Sequence, residues 1–301
     1  MSTAEKNPRN PGPNWGFGFL LWAEHWWPNW IFRPALMAGT WIGLAFMPAQ
    51  RAHSRDYLSI VLGRPPRLID VWRHFFAFSD SLMLKLRTSR GVPVTCQLEP
   101  SNKMSFEQLL YSDRPALFGT FHFGCSDLLG YMLTRHNRRV SILRLQVENS
   151  NDTRMLRRQF GERISFLWIN QPANLLFDLK GAIESGQSIA LKCDRLVFSS
   201  KTAAFQFLGA RRVFPFTIYY LAILFSKPVA FCTAIDAEAK NTIKVFASPI
   251  FTPDPAADRD QNLEAARAHF QGVLNDFEIL LRKNPYLWFN FLPLNPVVED
   301  N

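Results

Sequence analysis

His122 and Asp127 stand five positions apart in the stretch Phe118-Gly119-Thr120-Phe121-His122-Phe123-Gly124-Cys125-Ser126-Asp127-Leu128-Leu129-Gly130. A histidine whose pKa lies near working pH can deprotonate a hydroxyl or amine as it attacks an acyl carbonyl. A carboxylate bonded to the far ring nitrogen fixes the tautomer and stabilises the imidazolium that forms. The His-x4-Asp spacing permits that pairing, with Asp127 as the orienter of His122, and Gly124 lets a substrate approach the backbone. A plainer reading stands beside it: Asp127 or Ser126 caps the following helix and His122 merely ends a strand. Cys125 adds a thiol, but a small buried cysteine more often packs than reacts.

Other candidates gather at the ends of expected strands. Arg144 ends one, and Lys192 and Arg195 flank Asp194 at the end of another. In open α/β sheets the ligand crevice lies outside the carboxyl ends of the strands. Arginines there can bind a phosphate or carboxylate, and Asp194 can orient one of them. Arg154, Arg157 and Arg158 fall on an expected helix, where Arg157 and Arg158 taken singly read as a solvated face. The six histidines (25, 53, 74, 122, 136 and 269) are scattered, and His74 reads as structural. No pair of Cys96, Cys125, Cys193 and Cys232 has the close spacing of a zinc site, so neither metal nor cofactor is expected. The cysteines read as reduced and mostly buried, as in the cytosol.

The elements that must position these residues are visible after Pro115. Apolar runs at 116–121, 140–145, 164–168, 188–193, 228–235 and 242–247 read as strands. Segments 127–136, 152–160 and 172–185 read as helices, and a long amphipathic helix through Leu263 and Leu281 stops at Pro285. The alternation predicts an α/β fold with a mixed, mainly parallel sheet flanked by helices. Residues 55–91 read as helical scaffold. The apolar segment from Val213 to Phe225 suits either the wall of an acyl groove or a core helix.

The chain has 301 residues, 27 Phe and 9 Trp, and a formal net charge of +9. That balance suits an anionic partner such as a lipid headgroup, an acidic carrier protein or nucleic acid. Residues 1–14 are polar and rich in Pro and Asn, as in a disordered tail, and lack the layout of a secretory signal. Trp15, Phe17, Phe19, Trp22, Trp26, Trp27 and Trp30 follow, then an uncharged stretch from Pro34 to Pro48 bounded by Arg33 and Arg51. Clustered tryptophans beside basic residues favour a membrane interface. The alternative is a buried helix of a soluble subdomain. The expected organisation is a tail (1–14), an N-terminal helical membrane-interface region (15–91) and an α/β domain (92–301).

The stretch Gly119-Thr120-Phe121-His122-Phe123-Gly124-Cys125-Ser126-Asp127 resembles the His-x4-Asp/Glu motif of the lysophospholipid acyltransferase superfamily. More specifically it resembles the branch containing the late acyltransferases of lipid A biosynthesis, with their His-Phe-Gly signature. Tyr57–Arg64, Trp72-Arg73-His74-Phe75, Cys193-Asp194-Arg195 and Asn284-Pro285-Tyr286-Leu287-Trp288-Phe289-Asn290 agree, over roughly residues 50–292. The resemblance implies transfer of a fatty acyl chain from acyl carrier protein or acyl-CoA to a lipid or glycolipid hydroxyl or amine. His122 would be the base and Asp127 its orienter, in a direct attack without an acyl-enzyme. Gly124, Arg144, Asp194 and Arg195 would be substrate positions. The place implied is the cytoplasmic face of a bacterial inner membrane, peripheral or monotopic, with membrane lipids as partners.

Two departures narrow the acceptor. The lipid A branch usually has glutamate where this chain has Asp127. Glycerolipid enzymes typically have Phe-Pro-Glu-Gly, whereas here Phe214-Pro215 runs into Phe216-Thr217, which argues against a standard lysophosphatidate enzyme. A non-catalytic membrane or carrier-protein binding module would keep the basic and aromatic surfaces without needing His122. Nucleic-acid binding lacks a recognition motif of the usual kinds.

Overall fold

The computed structural model describes residues 15–135, 138–146, 161–171, 173–196, 199, 201–239 and 241–298. The expected tail at 1–14 and the expected helix at 152–160, with Arg154, Arg157 and Arg158, lie outside the described residues.

Among the described residues four helices come first: α1 (Gly16–Trp26), α2 (Asn29–Phe46), α3 (Pro48–Leu62) and α4 (Leu68–Ser89). Pro48 opens α3, where a missing N–H costs nothing. Gly63, at φ 64°, closes it in the left-handed conformation that glycine adopts most cheaply. The sequence between 55 and 91 reads as one helical stretch, but Gly63 and the Pro65-Pro66 pair divide it into α3 and α4. At the start of α4 the Asp70 carboxylate accepts the Arg67 N–H, a backbone donor the helix itself leaves unsatisfied.

The remaining elements are β1 (Thr95–Leu98), α5 (Lys103–Tyr111), β2 (Leu117–Thr120), α6 (Leu129–Arg135), β3 (Val140–Arg144), β4 (Ile164–Trp168), α7 (Leu175–Glu184), β5 (Ser188–Lys192), β6 (Thr202–Phe207), β7 (Ala210–Pro215), α8 (Thr217–Phe225), β8 (Val229–Asp236), β9 (Thr242–Ala247) and α9 (Arg259–Lys283). Seven strands form one sheet in the order β1-β9-β8-β2-β5-β3-β4. All its pairings are parallel except β8 with β9. The fold is therefore a mixed, mainly parallel α/β sheet flanked by helices. β6 and β7 form a separate antiparallel hairpin that the sequence reading did not anticipate. Val213 to Phe225 divides between β7 and α8, and the buried Ile218, Tyr219, Leu221 and Ala222 make α8 a core helix.

The central strands are buried on both faces, which is why they read as unbroken apolar runs. Leu117, Ile189, Leu191, Val229 and Phe231 face a core shared with α3, α4, α8 and α9. Phe118, Ala230, Cys232 and Ala234 face the other core, against α5 and α6. Tyr57, Leu58, Val71 and Trp72 belong to the first of these cores, so α3 and α4 pack as part of the α/β body. α1 and α2 add a smaller cluster, Ala23 and Phe32 against Met83 and Leu86 of α4.

Candidate active site

The register of two neighbouring strands builds the site. β2 and β5 pair in parallel with Leu117 opposite Ile189 and Thr120 opposite Lys192. Cys193 continues the ladder by donating its N–H to the Thr120 carbonyl. Two residues past the last pair, at the carboxyl edge of the sheet, the same offset brings His122 to Asp194. The His122 Nδ1 lies 2.7 Å from Asp194 Oδ1, and the His122 backbone N–H donates to Oδ2 at 2.9 Å. Sequence reasoning placed both residues at strand ends but assigned the orienting carboxylate to Asp127. The structure puts Asp194 in that position.

Asp194 is fully buried. Burial alone would raise its pKa, but the His122 ring, the Arg195 charge and the Trp288 N–H together hold it below the usual carboxylate range. An ionised carboxylate can only accept, so Nδ1 carries the proton and the lone pair is left on Nε2. Burial pushes the His122 pKa down to about 4, with Lys192 and Arg195 adding to the shift and Asp194 opposing it. The ring is thus neutral at pH 7, and 24% of its side-chain surface remains exposed. A neutral imidazole with a fixed tautomer offers the Nε2 lone pair as a proton acceptor, a weaker one than a histidine that titrates near working pH.

The chain near the C-terminus closes over this pair. Phe289 donates its N–H to the His122 carbonyl at 2.7 Å, and Gly124 donates to the Leu287 carbonyl at 2.8 Å. Trp288 Nε1 donates to Asp194 Oδ2 at 2.8 Å, and Asn295 Nδ2 to the Asp194 carbonyl at 3.1 Å. Sequence reasoning noted the Pro-x-x-Trp segment only through resemblance. A tryptophan 94 residues from its carboxylate leaves no local spacing to read.

Asp127 serves differently from the expectation. It lies in the short turn Ser126–Leu128 ahead of α6, and its two oxygens take Lys192 Nζ at 2.7 Å and Lys85 Nζ at 2.8 Å. Desolvation by its surroundings would raise its pKa, but the two ammonium groups hold it well below the ordinary value. Lys85 comes from α4 and was not anticipated as a neighbour of the motif. The cap of that turn is Cys125, which makes no side-chain hydrogen bond.

Gly124 does not offer the open approach to a substrate that the sequence suggested. It has φ 50°, and a Cβ there would run into the Ala234 carbonyl of β8. What approaches so closely is the protein's own strand, and Ser81 of α4 donates to the Gly124 carbonyl at 2.8 Å. Arg195 donates to the Phe289 carbonyl at 2.9 Å and so ties the C-terminal segment to the Asp194 loop. Arg144 lies at the same edge of the sheet, beyond β5, with its guanidinium 5.8 Å from the Phe166 ring centroid. The Cys125 thiol is buried and pushed up to about 12, mainly by burial, which removes it as a nucleophile.

No family model and no curated protein matches the chain. Among solved structures, the chain is similar to the 1-acyl-sn-glycerophosphate (LPA) acyltransferase PlsC from Thermotoga maritima, at 11% identity and a TM-score of 0.38. That likeness covers 82% of this chain and 96% of the other. At so low a score it carries no weight for activity.

Proposed function

We propose that the protein is a membrane-associated acyltransferase that moves a fatty acyl chain from an acyl thioester to a hydroxyl or amine of a lipid or glycolipid. The observation that carries the reading is the His122–Asp194 pair: a neutral imidazole, its tautomer fixed by a buried carboxylate, at the carboxyl edge of a parallel sheet. In this reading Nε2 of His122 takes the proton of the acceptor as its oxygen or nitrogen bonds to the thioester carbonyl carbon. The C–S bond then breaks, and the proton passes to the departing thiolate. Asp194 stabilises the imidazolium in between. Lys192 and Arg195, whose charges act on the ring, oppose the negative charge that develops on the carbonyl oxygen.

The membrane part of the proposal is supported by exposure. Trp15, Trp22, Trp26, Trp30, Ile42 and Phe46 of the N-terminal helices all lie exposed. Among the described residues no single helix is long and apolar enough to cross a membrane, but α2 and α3 together pass that test across a 99° bend. The exposed aromatic faces of α1 and α2 suit seating in one leaflet, and the cytoplasmic face of an inner membrane is where acyl carrier protein or acyl-CoA would meet them. The excess of 34 basic over 25 acidic residues suits anionic lipid and an acidic carrier.

The test is acyl transfer by the purified full chain from acyl carrier protein or acyl-CoA to extracted lipids, with mass spectrometry of the product naming the acceptor. His122→Ala is expected to cost about 10²-fold or more in rate while the fold is kept. A folded variant with full activity would remove His122 as the base.

A further inference from the structure

Two buried polar residues stand behind the pair with no part in the proton transfer itself. His74 of α4 and Ser54 of α3 are both fully buried, and Trp288 is 2% exposed. The His74 Nε2 is 2.7 Å from the Trp288 carbonyl, and its Nδ1 is 2.8 Å from Ser54 Oγ. A carbonyl only accepts, so Nε2 carries the proton and Nδ1 receives the Ser54 hydroxyl. Trp288 is thereby gripped at its backbone, and its indole N–H reaches Asp194 Oδ2. The indole is held edge-on by Tyr57 and Phe277, with ring centroids at 5.1 and 5.9 Å. The His74 ring is packed by Phe291 at 4.6 Å.

We infer that Trp288 and His74 are positioning residues, joined in one buried relay from Ser54 through His74, Trp288 and Asp194 to His122. The inference rests on the reading of His122 as a base. Burying these polar groups is costly unless every one is bonded, and an apolar core would have been simpler. What the relay adds is direction. The Trp288 N–H and the His122 backbone N–H both occupy Oδ2, which turns Oδ1 towards Nδ1 and leaves the carboxylate a single orientation. His74 fixes where the indole can stand.

The experiment is ¹⁵N NMR of the full chain labelled at histidine, with the His122 signals assigned by their loss in His122→Gln, beside steady-state kinetics and thermal melting. In the wild type at pH 7, His122 is expected in its Nδ1–H form. Trp288→Phe keeps an aromatic ring but removes the donor to Asp194. His74→Asn moves an amide to the Nδ1 position and leaves the Trp288 carbonyl unmet, whereas His74→Gln places an amide nitrogen near Nε2 and keeps that bond. Trp288→Phe and His74→Asn are expected to show a mixture of His122 tautomers and a roughly tenfold or greater loss of kcat at unchanged KM. His74→Gln should keep both close to wild type. If Trp288→Phe does not fold, the contrast between the two His74 variants decides. Wild-type tautomer and kcat in both Trp288→Phe and His74→Asn would overturn the relay and leave His122 as the base. A wild-type His122 protonated at Nε2 instead would overturn the base itself. A tautomer shift as expected in a chain that acylates no acceptor would uphold the positioning and remove acyl transfer.

Discussion

Replacing Asp194 by asparagine sets an NH2 group against donors whichever way the amide turns. At Oδ2 it would face the His122 and Trp288 N–H groups; at Oδ1 it would face Nδ1. The second conflict is the smaller, because Nδ1 can become an acceptor by shifting its proton to Nε2. That shift removes the lone pair a base needs, so Asp194→Asn is expected to lower kcat by about 10³- to 10⁴-fold. Asp127→Asn instead frees Lys85 and Lys192 from their carboxylate and should cost about tenfold or less. A larger loss at Asp127 than at Asp194 would restore the pairing suggested by the His-x4-Asp spacing. His122 was legible from the sequence because it ends an apolar run and opens a turn. Its true carboxylate was not, since the two lie 72 residues apart and meet only through the β2–β5 register. From the sequence Asp194 reads as the orienter of a nearby arginine and as a substrate position, not as the partner of His122.

At the scale of elements, His74 joins α4 to the C-terminal segment, and that joint is sensitive to acid. Burial pushes the His74 pKa from 6.5 down to about 4, and His122 shows a similar shift. Above pH 6.5 both histidines are neutral in the folded and unfolded chains, so their contribution is fully present. Between 6.5 and about 4 the unfolded chain binds protons that the folded chain does not, and stability falls as pH falls. For His74 alone the loss amounts to about 3 kcal/mol once pH has dropped below 4. Urea denaturation at pH 7, 5.5 and 4.5 should therefore show midpoints declining in that order, with a shallower decline in His74→Gln. Equal midpoints across the series would disprove the shift. Elements with strong local signals were legible: the parallel strands as apolar runs, and α9 as an amphipathic stripe. The β6–β7 hairpin was not, because its turn places Leu208 and Gly209 both at positive φ, and leucine gives no sign of such a turn. That hairpin anchors the end of the C-terminal segment, with Val213 donating to the Pro296 carbonyl and Val298 to that of Arg211.

For the whole molecule, α4 connects the aromatic N-terminal layer to the site. Met83 and Leu86 on this helix pack against α1 and α2, while Ser81 bonds to Gly124 and Lys85 to Asp127. An aromatic face seated in a leaflet would thus lie one helix away from His122, a short path for an acyl chain between bilayer and base. Trp26 is 68% exposed and Trp30 76%, with no part in any core cluster, so exchanging them for alanine should leave the fold unchanged. Their burial in a headgroup region would contribute about 1.5–3 kcal/mol each. The double variant Trp26→Ala/Trp30→Ala is therefore expected to bind vesicles containing anionic lipid at least about tenfold more weakly than the wild type. High salt should weaken both, because the net charge of +9 acts through a screened field. Acylation of an acceptor embedded in vesicles should fall with binding, while acylation of the same acceptor in detergent should not. Vesicle binding unchanged by the double substitution, measured by co-sedimentation with circular dichroism as the check on folding, would detach this aromatic face from the membrane.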